Sequence, residues 1–226
     1  GSDYGFVLLP RLKTVQSNRQ DNINLEPMTT QKPFSQACEN NKQPILDALK
    51  QVFTRPATVW EIGSGTGQHA CYFAEQLPHL VWQPTDRLEN IAGIRLWQQE
   101  AKLANLQAPL QLDVADSVWP CTSIEALFTA NTLHIMSWDE VKLLFTRLTD
   151  YLTEQASVCI YGPFNYRGSY TSESNERFDQ WLHRQDPRSG IKHFEEVVGL
   201  AETIGLELQA DHEMPANNRL LVFKRK

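Results

Sequence analysis

Val59-Trp60-Glu61-Ile62-Gly63-Ser64-Gly65-Thr66-Gly67 is the stretch whose reading decides the fold. Residues 58–62 form a short run of β-favouring side chains. After the glycines comes a helical stripe of Ala70, Phe73, Ala74 and Leu77. A strand that turns sharply through glycine into a helix brings free backbone N–H groups and the positive end of a helix dipole to one place. Such a loop can hold a pyrophosphate or the carboxylate of an amino acid. The dinucleotide fingerprint G-x-G-x-x-G/A asks for glycine or alanine where this chain has Gln68, and the glycines run G-x-G-x-G instead.

Outward from the loop, strands and helices alternate. Ile45, Leu49, Val52 and Phe53 make an amphipathic stripe ahead of it. Behind it come a strand at 80–85 that Pro84 is expected to fray, and a helix carrying Ile94, Trp97, Ala101 and Ala104. Strands follow at 110–114 and 126–130. Ser137-x-x-Glu140 then reads as a capping box opening a helix with Val141, Leu144, Phe145, Leu148 and Leu152 on one face. A fifth strand spans 157–161. Residues 163–192 show little period except around Phe178, Trp181 and Leu182, and are read as an insert with the character of a lid. A last helix bearing Phe194, Val197, Val198 and Ala201 stops at Gly205. Two strands at 206–212 and 219–224, joined by Pro215-Ala216-Asn217-Asn218, are too close for a parallel crossover and must pair antiparallel. The expectation is a single doubly wound α/β domain over residues 35–226. Its sheet is seven-stranded and mostly parallel, with an antiparallel C-terminal strand pair.

Bulk properties narrow the function. The chain of 226 residues suits one domain, with residues 1–34 as a polar arm, tag-derived at Gly1-Ser2. A net charge of −6 and a pI near 5.5 argue against a nucleic-acid partner. No apolar run approaches the ~18 residues of a membrane span, and the expected setting is cytoplasmic. Cys38, Cys71, Cys121 and Cys159 are scattered without metal-ligand spacing, so neither a disulfide framework nor a metal site is expected.

The acidic residues at strand ends sharpen the ligand. Asp86 ends the second strand about 20 residues after the loop, where a carboxylate accepts hydrogen bonds from a ribose diol; a helix N-cap is the alternative. Asp113, followed by Val114, is placed to meet an adenine amino group and ring face, or else to cap a loop. Glu61, two residues before Gly63, is placed to meet a ligand ammonium through water. Loop, acids and antiparallel ending together point to S-adenosylmethionine, with S-adenosylhomocysteine as product. The expected cofactor set is Glu61, Gly63, Ser64, Gly65, Gly67, Asp86, Arg87, Asp113, Val114 and Asn131.

Longer strings resemble a known family: Tyr72-Phe73-Ala74-Glu75-Gln76-Leu77-Pro78-His79, Trp82-Gln83-Pro84-Thr85-Asp86, Ala130-Asn131-Thr132-Leu133-His134-Ile135, Tyr161-Gly162-Pro163-Phe164 and Met214-Pro215-Ala216-Asn217-Asn218. They are similar to the methyltransferase-like family known as domain of unknown function 938. The resemblance runs from about Phe34 to the C-terminus and implies a Rossmann-like, class I methyltransferase fold that binds adenosylmethionine. It implies no acceptor. Where the family tends to carry Arg-Asn-Lys, this chain has Asn40-Asn41-Lys42.

Active groups should come from the carboxyl ends of the strands. His134 is the expected contact to the acceptor, as orienter or as a base near neutral pH, and a packed core histidine is the alternative. Asn131 is expected to touch the methionine part of the cofactor. Asn41, Tyr161, Phe164, Tyr166 and Asn175 make up the expected acceptor pocket, with simple packing as the competing reading for the aromatics. The string Asn131-Thr132-Leu133-His134 is not N-P-P-Y, which disfavours methylation of a DNA base. The expected partner is a small-molecule acceptor. A subunit that binds the cofactor without catalysis and an oxidoreductase using a nicotinamide are the competing functions; oligomeric state is left open.

Overall fold

The structure is a computed structural model that describes residues 31–226. Most of the expected arm lies outside the described residues. In chain order the elements are α1 (Gln36–Val52), β1 (Ala57–Ile62), α2 (Gln68–Gln76), β2 (Leu80–Asp86), α3 (Leu88–Ala101), β3 (Leu110–Gln111), β4 (Ile124–Ala130) and α4 (Trp138–Tyr151). They continue with β5 (Leu152–Gly162), β6 (Phe164–Asn165), α5 (Glu173–Gln185), β7 (Lys192–His193), α6 (Phe194–Glu202), β8 (Leu206–Met214) and β9 (Asn218–Arg225).

Seven strands form one sheet in the order β3-β2-β1-β4-β5-β9-β8. The first five are parallel, and β9 inserts antiparallel between β5 and β8. The central strands are apolar on both faces, as a sheet covered by helices on both sides requires. Leu127, Val158, Ile160, Leu221 and Phe223 face α4 and α6. Ala126, Phe128, Cys159, Tyr161, Leu220 and Val222 face α1 and α2. On that second face Phe73 meets Phe128 edge-on at 5.4 Å and 82°, with Trp82 5.4 Å from Phe73. Each such fully buried ring contributes on the order of 1.5–3 kcal/mol of burial.

Helix α4 starts at the capping box: Ser137 Oγ accepts from Glu140 N at 3.1 Å, and Glu140 Oε1 from Ser137 N at 3.2 Å. Residues 32–35 dock before α1 begins. Lys32 Nζ lies 3.1 Å from Glu100 and 3.6 Å above the Trp97 ring, and Trp97 Nε1 donates to Pro33 O at 2.6 Å.

Five local expectations are corrected. Pro84 does not fray β2: it is buried and in register with Glu61. Trp82 N donates outward to Asn105 O, so two residues on, the N–H that proline lacks would also face outward, where β3 has not yet begun. The third strand is only Leu110–Gln111, because beyond Leu112 the Asp113 carboxylate accepts from Ala115 N at 2.9 Å and turns the chain away. Ala104 lies beyond α3, and Leu152 begins β5 instead of ending α4. The stretch 163–192 contains a full helix, α5, capped by Ser172 and burying Phe178 and Leu182 against Ile191.

The closing hairpin turns through Ala216 and Asn217, both with φ of +57°, and Asn218 N donates to Pro215 O. Two successive left-handed residues match a type I′ turn, which favours Asn and Gly and strains alanine. Ala216→Gly is therefore expected to stabilise the fold by about 0.5–1 kcal/mol in denaturant unfolding, the strain relieved exceeding the entropy that glycine costs.

Candidate cofactor and acceptor site

The sheet order reverses between β1 and β4, the point at which an open α/β sheet places a ligand crevice outside the carboxyl ends of its strands. The β1 loop is built on three left-handed glycines, with φ of +70° at Gly63, +61° at Gly65 and +95° at Gly67. Two of them show different needs. A Cβ on Gly63 would sit 2.5 Å from Thr132 Cγ2, because the β1 and β4 loops touch at that point. A Cβ on Gly65 would meet nothing within 4 Å, so that glycine keeps open the space over the cradle. Gly63→Ala is accordingly expected to lower thermal stability sharply. Gly65→Ala is expected to fold with only the ~1–2 kcal/mol left-handed penalty, yet to bind adenosylhomocysteine at least about tenfold more weakly; calorimetry and thermal unfolding separate the two effects.

The cradle is fixed from three sides. Ser64 N donates to Thr85 O at 2.9 Å, and Ser64 Oγ accepts from Thr85 N at 3.1 Å, tying the loop to β2. Thr129 Oγ1 donates to Ile62 O at 2.7 Å and lies 2.6 Å from the Thr132 hydroxyl, tying it to the β4 turn. Gln68 holds α1: its Oε1 accepts from Ser35 N at 2.6 Å, and its Nε2 donates to Ser35 O at 3.1 Å and Glu39 Oε1 at 3.0 Å. The sequence marked Gln68 only as a departure from the dinucleotide pattern. Its amide instead fastens the helix that forms one wall of the crevice.

Asp86 ends β2 with its carboxylate turned into the loop. Its Oδ2 accepts from Gly65 N at 2.8 Å, and its Oδ1 from Arg87 N at 2.7 Å and Asn90 Nδ2 at 3.1 Å. Burial raises its pKa against those three hydrogen bonds. Glu61 is almost wholly buried beneath the loop and accepts from Trp82 Nε1 at 3.2 Å. Burial pushes it up to about 7, opposed by the Ser64 and Trp82 hydrogen bonds and helped by the Asp86 carboxylate. Asp113 lies across from Asp86, with Arg87 Nε 3.5 Å from its carboxylate and Val114 buried beside it. All ten expected cofactor residues thus lie on or beside the loops after β1, β2, β3 and β4.

The β4 turn begins at Asn131, whose φ of +59° is a left-handed conformation that asparagine tolerates; its N–H donates to Tyr161 O at 2.9 Å. His134 is placed otherwise than expected. It is 2% exposed, with Phe178 edge-on at 5.3 Å. Burial, reinforced by the Lys192 ammonium, brings its pKa down to about 3. Burial holds the imidazole in its neutral form here, in keeping with the packed-histidine alternative of the sequence reading. The insert is fastened over this turn through three successive carbonyls: Gly190 N donates to His134 O at 2.9 Å, Ser189 Oγ to Ile135 O at 2.6 Å and Lys192 Nζ to Met136 O at 2.6 Å.

The expected acceptor residues divide. Asn41 and Tyr161 come together on the α1 side of the sheet, and Asn175 Nδ2 donates to Asn217 O at 3.3 Å, one residue before the Asn218 that also neighbours Tyr161. Phe164 is a core residue, 1% exposed among the side chains under α4 and α6. Tyr166 is drawn to the β8–β9 edge: it stacks on Phe194 at 4.7 Å and donates to Asp211 Oδ2 at 2.8 Å, beside the Arg219–Asp211 ion pair. Sequence reasoning missed His69, whose Nε2 bonds Asn41 Oδ1 at 2.7 Å; the pair is distant in sequence and no local pattern joins it.

Among the described residues no cluster of His, Cys, Asp and Glu could hold a metal ion, and no helix is long and apolar enough to cross a membrane. A concavity of about 540 Å³ lined by Pro56, Trp60, His79 and Glu125 opens at the amino ends of the strands, away from the loops that form the crevice.

Solved structures share this architecture. An O-methyltransferase family protein from Burkholderia thailandensis superposes with a TM-score of 0.72 at 15% identity, covering 82% of this chain and 56% of its own. An O-methyltransferase family 2 protein from Planctomyces limnophilus, in complex with apigenin, gives 0.72 at 15% identity over 84% and 58%. CalO1, a methyltransferase of calicheamicin biosynthesis in its adenosylhomocysteine-bound form, gives 0.62 at 16% identity over 75% and 49%. The chain therefore spans between about half and three-fifths of the length of these structures. The likeness establishes the class I methyltransferase fold, Rossmann-like with an antiparallel close. Over residues 32–225 the sequence matches a family model, and the chain belongs to the family described as protein of unknown function, DUF938.

Proposed function

We propose that the protein is an S-adenosylmethionine-dependent methyltransferase acting on a small molecule. The observation that carries this reading is the cradle itself. Three left-handed glycines lead into α2 at the reversal crevice, Gly65 faces open space, and the Asp86 carboxylate is locked beside it. That arrangement fits a ligand with an amino-acid end, a ribose and an adenine. Gly63, Ser64, Gly65 and Gly67 would take the amino-acid end with Glu61 beneath. Asp86 would take the ribose, Arg87, Asp113 and Val114 the adenine, and Asn131 the methionine chain. Gln68 supports the same choice, since the fingerprint position of a dinucleotide site is spent on holding α1.

Bound adenosylmethionine supplies a methyl on a sulfonium, which an acceptor nucleophile displaces in line. The chain's own part is to align that nucleophile and exclude water, and alignment alone is a large share of such a rate. With His134 held neutral under the insert, it shapes the floor of the site without moving a proton. Support for a small acceptor comes from the apigenin-bound neighbour and from the acidic character of the chain. Incubation with methyl-labelled adenosylmethionine and a panel of small hydroxyl, amine and thiol acceptors tests the reading. Label transferred to at least one acceptor is the expected result. Cofactor binding without transfer to any would leave a non-catalytic binding subunit.

A further inference from the structure

Tyr161 lies one residue before the end of β5; its backbone carbonyl accepts from Asn131 N of the β4 turn, and its ring is buried on the α1 and α2 face of the sheet. The residue is 2% exposed, and its hydroxyl is buried without completing a hydrogen bond. A buried hydroxyl left in that state is unusual in a folded protein and calls for a reason. The groups that act on it are the side chains of Asn41 and Asn218 and the Cys38 thiol.

Each amide already has one end engaged. Asn41 Oδ1 is taken by His69 Nε2, on a ring that burial keeps neutral, which leaves Asn41 Nδ2 as a donor. Asn218 Nδ2 donates to Pro215 O at 3.0 Å, which leaves Asn218 Oδ1 as an acceptor. Between them the Tyr161 hydroxyl can both donate and accept. The three groups come from α1, β5 and the end of the strained hairpin turn, and none is charged.

Resting on the methyltransferase reading above, we infer that Asn41, Tyr161 and Asn218 form the polar end of the acceptor pocket and select an uncharged acceptor carrying a hydroxyl or a carboxamide. Such a group donates and accepts in turn and satisfies all three partners. A carboxylate would face Asn218 Oδ1, which can only repel it, and an ammonium would face Asn41 Nδ2. Either charge would be buried without a counter-ion, and a neutral polar group would not.

The test is protein-observed NMR with ring-labelled tyrosine, titrating phenol and benzamide as uncharged probes and benzoate and benzylammonium as charged ones, with and without saturating adenosylhomocysteine. Saturable binding of a neutral probe is expected, with the Tyr161 signal shifted. Tyr161→Phe and, separately, Asn41→Ala are expected to weaken it at least about tenfold while adenosylhomocysteine affinity stays within about twofold. Failure of both neutral probes to bind, equal binding in the two variants, or equally tight binding of a charged probe would overturn the assignment. Failure of adenosylhomocysteine to bind the wild-type protein would instead remove the methyltransferase reading, while the probe titration without it still reports on the polar pocket.

Discussion

Replacing Asp86 with alanine is expected to weaken adenosylhomocysteine binding by about 1–3 kcal/mol, or about 5- to 150-fold, in a protein that still folds. Two effects add. In the proposed site the carboxylate would accept from a ribose diol, and it also holds the Gly65 N–H at 2.8 Å, so its loss loosens the cradle. Asp86→Asn separates them, because the amide oxygen can still accept from Gly65 while the second face of the carboxylate is lost. An intermediate affinity is expected for Asp86→Asn. Calorimetric titration of both variants checks the order, and an alanine variant with unchanged affinity would take Asp86 out of the site.

Glu61 is expected to make cofactor affinity depend on pH. Its carboxyl sits at about 7 in the folded chain, against an ordinary value of 4.5. A ligand ammonium nearby favours the ionised form, so affinity should rise with pH, by roughly eightfold between pH 6 and 7.5, with protons released on binding. Glu61→Gln should flatten that dependence and weaken binding at the upper end. For stability the sign is reversed. From pH 4.5 to 7 the unfolded chain gives up a proton that the folded chain keeps, so stability falls as pH rises. The loss reaches up to ~3 kcal/mol above pH 7. The glutamine variant should therefore unfold at a higher temperature than the wild type at pH 8 and show little difference at pH 4. A parallel fall of stability and affinity in the variant would mark Glu61 as a structural carboxyl only.

Much of this was legible because it is local. The glycine loop, the capping box at Ser137 and Glu140, and the closing hairpin each announce themselves within a few residues, and each formed as read. The distance of Asp86 from the loop put it at the end of the second strand, and there it ends β2 and holds the Gly65 N–H. What was not legible depends on what packs against what. The β3 ladder stops early because Asp113 caps its own turn. Helix α5 hid because it buries only a narrow stripe against Ile191. His134 stayed open between an acceptor contact and a packed histidine because nothing near it in sequence reveals that Gly190 and Lys192 close over the same turn. Tyr166 read as a pocket wall, yet Asp211 and Arg219 at the far strands claim it.

Calorimetric titration of the purified protein with adenosylhomocysteine, with NADH as control, tests the central reading most directly. Saturable one-to-one binding of adenosylhomocysteine with none of NADH is the expected result. Binding of NADH alone, or of neither ligand to folded protein, would contradict it and leave only the fold.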